Sequence, residues 1–289
     1  QMVFILILWS ASLFGQTYVS KTFKDTRVIN THSVETLPAH KLDIRITHRF
    51  GDIAGDNGGF ATFYGLENAA DVMIGADYGL TDALTIGMHR SKGAGILPDG
   101  TSGLRQLLNG IGKYRWLRQT EEAGAPVSLT TVGVVSFSTA EKVEDAETSL
   151  RSFPKFAHRL AYHAQLLAAR KFSHALSLQI SAGYTYRNLV APNDENGIWN
   201  VGAAGRVQLT KVFGLILEAN APLNAGRLEE DFSLPLGIGL EIETGGHVFQ
   251  VNFTNATAIM ETNYIPYTTS RWRDGAFRLG FTISRLFNL

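Results

Sequence analysis

Leu176-Ser177-Leu178-Gln179-Ile180-Ser181-Ala182-Gly183-Tyr184-Thr185-Tyr186-Arg187 sets the period by which the rest of the chain is read. Leu176, Leu178, Ile180, Ala182, Tyr184 and Tyr186 share one parity; Ser177, Gln179, Ser181, Thr185 and Arg187 share the other. Successive side chains of a strand point to opposite faces, so this is a strand with one aliphatic face and one polar face.

Outward from it, the same pattern recurs in segments of about nine to twelve residues, the length a tilted strand needs to cross a bilayer. Lys41 to Phe50 sets Leu42, Ile44 and Ile46 against Asp43, Arg45 and Arg49. Asp71 to Leu80 sets Val72, Ile74, Ala76 and Tyr78 against Asp71, Met73, Gly75 and Asp77, and after Thr81-Asp82 come Leu84, Ile86 and Met88 against Thr85, Gly87 and His89. Gly112, Tyr114 and Trp116 oppose Lys113 and Arg115; Leu129, Val135 and Phe137 oppose Ser128, Thr130 and Ser136; Leu160, Tyr162 and Leu166 oppose Arg159, His163 and Gln165. Beyond the opening stretch, Trp199, Val201, Ala203 and Val207 face away from Asn200, Gly202, Arg206 and Gln208, and Phe213, Leu215 and Leu217 from Glu218 and Asn220. Leu234 to Ile242 opposes Glu241 and Glu243; Phe249, Val251 and Phe253 oppose Gln250, Asn252 and Thr254; Phe277, Leu279, Phe281 and Ile283 oppose Arg278, Thr282 and Ser284.

That makes twelve segments, and their connections alternate in length. Thr81-Asp82, Arg118 to Pro126, Ser173-His174, Thr210 to Val212 and Thr244 to Gly246 are short or moderate. Gly51 to Ala70, Arg90 to Asn109, Ser138 to His158, Asn188 to Ile198, Ala221 to Ser233 and Asn255 to Ala276 are long and read as polar outer loops. Short inner turns alternating with long outer loops are the mark of transmembrane barrels. Tyr78 and Trp116 fall at inner ends, and Tyr162, Tyr186 and Trp199 at outer ends, where aromatic girdles sit. A soluble sandwich or lipocalin-like barrel would share the period but gives no reason for the alternating loops or the end-placed aromatics. The expected fold is an all-β, antiparallel up-and-down transmembrane barrel over residues 41–289, preceded by a short polar segment. A closed barrel of ten or fewer strands would contradict it.

Composition narrows the function classes. Lys plus Arg and Asp plus Glu both number 26, so no global basic field points to nucleic acid. Without cysteine there is no disulfide framework, zinc-thiolate site or thiol nucleophile. The eight histidines are scattered without ligand spacing, so neither metal nor cofactor is expected. Val3 to Trp9 passes into Ser10, Ala11, Ser12 and Gly15, the h-region and cleavage zone of a secretion signal over residues 1–15, with cleavage between Ala11 and Gln16. The apolar run is too short for a transmembrane helix, which needs roughly 20 residues. No charged n-region precedes it and the sequence opens on Gln1, so the leader is read as starting short of its own beginning.

Several stretches resemble an uncharacterised outer-membrane β-barrel family of Bacteroidetes-type bacteria. They are Thr22 to Thr36, His48-Arg49-Phe50-Gly51-Asp52, Glu243 to Gln250, and Gly280-Phe281-Thr282-Ile283-Ser284-Arg285. The resemblance covers nearly the whole mature chain and implies the barrel and the bacterial outer membrane; it brings no activity or catalytic residue. The expected surroundings are outer-membrane lipid and lipopolysaccharide. The insertion machinery would read Phe277 to Leu289, although Asn288 and Leu289 displace the usual final aromatic. A periplasmic or surface protein is a further candidate partner.

Twelve strands about 4.8 Å apart and tilted about 40° give a backbone diameter of roughly 24 Å, a lumen that inward Arg and Lys side chains can largely close. Parity places Arg45, Arg49, Lys113, Arg115, Arg159, Arg187, Arg206 and Arg278 there, opposite Asp43, Asp71, Asp77, Glu218, Glu241 and Glu243. Mutual pairing is one reading, since ions in a narrow lumen need partners. A path in which unpaired arginines select a small anionic or polar solute is the other. Residues 16–40 lack both periodicities, and form either a periplasmic tail or a lumen plug. Lys24, Asp25, Arg27, His32 and Glu35 favour the plug, and Lys24, Asp25, Arg27 and Glu35 should then pair with lumen charges of opposite sign. Function is therefore expected to be a narrow or plugged channel for small polar or anionic solutes, with a structural barrel as the alternative. An outer-membrane lipid hydrolase comes third: His89-Arg90-Ser91 matches the His-x-Ser pair of a twelve-strand phospholipase, but His89 shares the polar parity and no Asn stands beside it on the lipid side. No catalytic residue is assigned.

Overall fold

The computed structural model describes residues 17–121, 124–144, 149–192, 194–224 and 231–289. The expected secretion signal over residues 1–15 lies outside the described residues. Twelve strands follow the polar segment: β1 (Lys41–Phe50), β2 (Ala69–Gly79), β3 (Leu84–Ser91), β4 (Leu107–Leu117), β5 (Ser128–Ser138), β6 (Leu160–Lys171), β7 (Leu176–Arg187), β8 (Gly197–Gln208), β9 (Phe213–Pro222), β10 (Leu236–Thr244), β11 (His247–Thr254) and β12 (Arg278–Asn288). Each pairs antiparallel with its sequence neighbours, and β1 closes on β12 from Lys41↔Asn288 to Arg49↔Gly280. Closure leaves no strand edge unpaired, the condition for crossing lipid with strands.

Facing follows the period. Ile180 and Val201 stand exposed on the outer wall; Arg45, Arg206 and Glu241 are buried on the inner one. Leu236 and Leu279 share the outward parity and are partly covered by neighbours. The connections 80–83, 172–175, 209–212 and 245–246 are tight and 118–127 moderate, all on one rim, while the long ones gather on the other. Strand ends differ from expectation by a few residues: β2 begins at Ala69 and β4 at Leu107, each shortening an outer loop, and Leu234 lies before β10 rather than in it.

The interior is filled. Residues 22–37 enter from the short-turn rim as a hairpin, with Val28 N–H donating to Thr31 O (2.9 Å), Ser33 N–H to Thr26 O (3.0 Å), and Arg27 bridged to His32. Below it, residues 17–21 are tied to the rim, where Val19 N–H reaches Gln119 O (3.1 Å).

One expectation is corrected here. The connection 255–277 is not simply an outer loop: residues 256–267 fold into the barrel and carry a short helix α1 (Glu261–Tyr264), wholly buried. The reason is its apolar content. Ala256, Ala258, Tyr264 and Ile265 pack against inward Ile198, while Ile259 and Met260 join a second cluster in the barrel centre. That cluster unites Phe23, Val28, Ile29 and Val34 of the hairpin with inward-facing Met73, Ile111, Val132, Val134, Leu167 and Ile216. Full burial of such a side chain is worth about 1.5–3 kcal/mol, so the hairpin is seated by apolar contact as well as by charge. Contact is close at its tip: a Cβ on Gly237 of β10 would lie 2.8 Å from Ile29 Cδ1.

Candidate functional site: the occupied lumen

The hairpin presents polar groups to the wall at every level. Arg45 on β1 donates from Nη1 to Asp25 Oδ2 (2.9 Å) and from Nη2 to Asp25 Oδ1, Thr26 Oγ1 (3.0 Å) and Asp43 Oδ2 (3.0 Å). A guanidinium between two carboxylates, all fully buried, is the forked geometry that makes a buried pair worth its desolvation. Higher up, Glu218 on β9 accepts from the backbone N–H groups of Ile29 (3.2 Å), Asn30 (2.9 Å) and Thr31 (3.0 Å) and from Asn30 Nδ2 (2.7 Å). The tight turn points three successive amides the same way, and one carboxylate satisfies them, as anions are held in backbone nests.

The remaining predicted residues divide. Arg206 and Glu241 pair across the wall, Nε to Oε1 at 2.6 Å. Lys24 meets Glu243 at 2.7 Å. Asp77 meets His89 at 2.9 Å rather than an arginine. Arg49 donates to Asn30 Oδ1 (2.7 Å) and Ala256 O, and Lys113 to Thr26 O (3.0 Å), so these wall cations are engaged by the inserted segments. Asp71 accepts from Gly93 N–H (2.6 Å) and Ile259 N–H (3.0 Å). Like Arg49, Lys113, Asp71 and Glu218, three more residues depart from the expectation of charge pairing. Glu35 accepts from the hairpin's own Thr22 and Phe23 amides; Arg278 donates to Asn255 O and Ser270 Oγ; Arg115 lies half-exposed at the rim and donates to Asp82 O. Each finds a neutral partner in place of an opposite charge.

The residue the sequence reading missed is Glu261. Its Oε1 accepts from Arg27 Nη1 at 3.0 Å, with both side chains buried, and lies 3.6 Å from His32 Nε2. Arg27 Nη2 also contacts His32 Nε2 (3.0 Å). Here the hairpin from the periplasmic rim meets the loop from the opposite rim.

Burial, and then the neighbouring Arg27, hold the His32 imidazole well below its ordinary pKa, so it is neutral and accepts from Arg27. A pH prediction follows. An undocked hairpin takes up a proton at His32 as pH falls below about 6.5, whereas the docked one resists it. Docking therefore carries no His32 penalty above that pH and weakens progressively below it. Trypsin cleavage at Lys24, taken relative to cleavage of an unfolded peptide at the same pH, should rise from pH 7 toward pH 5.5, and His32→Gln should flatten that step.

His89 and Ser91 form no hydrolytic relay. His89 Nε2 is engaged by Asp77, Ser91 Oγ accepts from Asn109 Nδ2 (3.1 Å), and both are buried in the lumen, away from lipid; Arg90 between them points outward. No group of metal-binding side chains is assembled among the described residues.

The sequence matches the family model described as membrane bound beta barrel domain, DUF5777, over residues 23–287. The chain belongs to that family. The match begins inside the hairpin, at Phe23, so in this DUF5777 barrel the lumen segment is part of the domain. No curated protein matches it. Among solved structures, the COG4313 outer membrane channel from Pseudomonas putida F1 is 14% identical with a TM-score of 0.49, covering 88% of this chain and 98% of that one. The KdgM porin in complex with disordered oligogalacturonate is 7% identical with a TM-score of 0.48, covering 86% and 99%. LpxR from Salmonella typhimurium is 10% identical with a TM-score of 0.40, covering 86% and 100%. At these values none assigns a solute or a residue role to the DUF5777 barrel, which is a membrane-bound β-barrel.

Proposed function

We propose that this barrel is a gated outer-membrane channel for small polar or anionic solutes, closed at rest by the N-terminal hairpin and the β11–β12 loop together. The buried Arg27–Glu261 contact carries the reading, because it joins two segments that enter from opposite rims and meet across the path. A barrel needing only internal bracing could fill its lumen from the wall. This one closes it with two pieces that are each tethered at one end of the pore. Their withdrawal would bare Arg49 and Lys113 alongside Glu218 and Asp71, a mixed polar lining. Anion preference is the finer claim, read by the sign of the reversal potential in a salt gradient.

Planar-bilayer recording tests it. The full chain should be silent for most of the time, with rare openings. Glu261→Ala leaves Arg27 buried without its carboxylate, a loss of about 3–5 kcal/mol for a broken buried pair, and should make openings frequent. Arg27→Ala/Glu261→Ala should open less than the two single effects predict, as expected for residues in contact. Silence in all of these, with barrels that remain folded, would favour the structural reading. The density of side-chain packing in the lumen supports that alternative.

A further inference from the structure

The outer wall over β8 and β9 departs from the aliphatic pattern. At outward positions where neighbouring strands place Leu or Ile, it carries Ala203, Gly205 and Ala219. Register brings Ala203 beside Ala219 and Gly205 beside Leu178, so the missing side chains align obliquely across strands. The result is a furrow of about 500 Å³ whose outer end is bounded by Leu236 and Trp272. Those two residues also line a second cavity of about 450 Å³, where Phe232 and Leu234 stand with Ser233, Asn255, Arg271 and Arg273. Trp272 is fixed there by stacking on Phe277, with centroids 4.8 Å apart. Arg273 is exposed, touching only the adjacent Asp274 at 3.5 Å among the ion pairs of the described residues.

We infer that this is a binding site for an outer-leaflet amphiphile of the lipid A class, with one acyl chain in the furrow and a phosphorylated head at the arginines. An apolar slot on a lipid-facing wall takes an acyl chain; basic side chains at the same end take an anionic head. The arginines stand on the long-loop rim, which faces the cell exterior in transmembrane barrels, so the ligand comes from the outer leaflet. The site is on the outside of the wall and does not depend on whether solute crosses the lumen.

The test is retention of lipid by the full-length barrel refolded in detergent with lipid A, then exchanged into lipid-free detergent and assayed by mass spectrometry. Phosphatidylethanolamine, which carries no net charge, is the comparison probe. Wild type should retain lipid A well above phosphatidylethanolamine. Ala203→Leu/Ala219→Leu fills the furrow with side chains native to the rest of the wall, and retention should fall about tenfold, the factor that 1.4 kcal/mol of lost binding carries. Arg273→Glu leaves the furrow intact and should lower lipid A retention without changing phosphatidylethanolamine. This second variant keeps the test decisive if the first folds poorly. Equal retention of the two lipids by wild type, or lipid A retention unchanged in either folded variant, overturns the assignment and leaves only general lipid contact.

Discussion

Deleting residues 17–37 should turn a mostly silent barrel into a persistently conducting one. The hairpin supplies Phe23, Val28, Ile29 and Val34 to the lumen core, the counter-charge of Arg45, and the amides held by Glu218. The β11–β12 loop stays behind, but it loses Arg27, its contact at the meeting point. Mean conductance should rise at least about tenfold, since losing even 1.4 kcal/mol of closure shifts the open fraction by that factor. Barrel stability should change little, because all twelve ladders, including the β1–β12 seam, are made without these residues. Conductance equal before and after deletion, with the barrel still resistant to unfolding in sodium dodecyl sulfate, would mean that the loop alone closes the pore or that no pore exists.

The largest single-residue effect should come from Arg45→Ala. It strands Asp25 and Asp43 side by side, buried and without a cation, and removing one partner of such a pair costs about 3–5 kcal/mol. The hairpin lies outside the strand ladders, so the loss should appear as undocking rather than barrel unfolding. Trypsin should then cut rapidly at Lys21 and Lys24 while the strands stay protected. Asp25→Asn in the Arg45→Ala background should recover part of the protection by removing one stranded charge. Arg45→Lys should recover little, because a point charge cannot serve both carboxylates as the fork does. Full protection in Arg45→Ala would show that apolar seating alone holds the hairpin.

The wall was legible because period two is imposed by lipid: any outward polar residue is costly, so β7 and β12 announce themselves and parity predicts facing along them. The lumen was legible only in part. Arg45, Arg206 and Glu241 could be placed inside by parity, but their partners depend on what else enters the barrel. Asp25 was foreseen as a pairing residue, and Arg45 is where its partner lies. Glu261 was not foreseen, because residues 255–276 were weighed as loop by length and polarity. A signal was nonetheless present. Val132 and Val134 on β5, Leu167 on β6 and Ile216 on β9 put apolar side chains on the parity that should face water. A strand apolar on both faces has something dry on both sides, as in buried parallel sheets. Ala258, Ile259, Met260, Tyr264 and Ile265 in the last long connection were the matching apolar supply.

Because the hairpin and the loop touch at Arg27 and Glu261, gating as proposed would link events on the two sides of the membrane thermodynamically. Anything at the cell surface that prefers the loop withdrawn must ease release of the hairpin, and a periplasmic factor that grips the freed hairpin must loosen the loop by the same factor. Each face of the barrel would then report on the other, with a coupling set jointly by the buried ion pair and by the apolar contacts of Ile259 and Met260 with the hairpin.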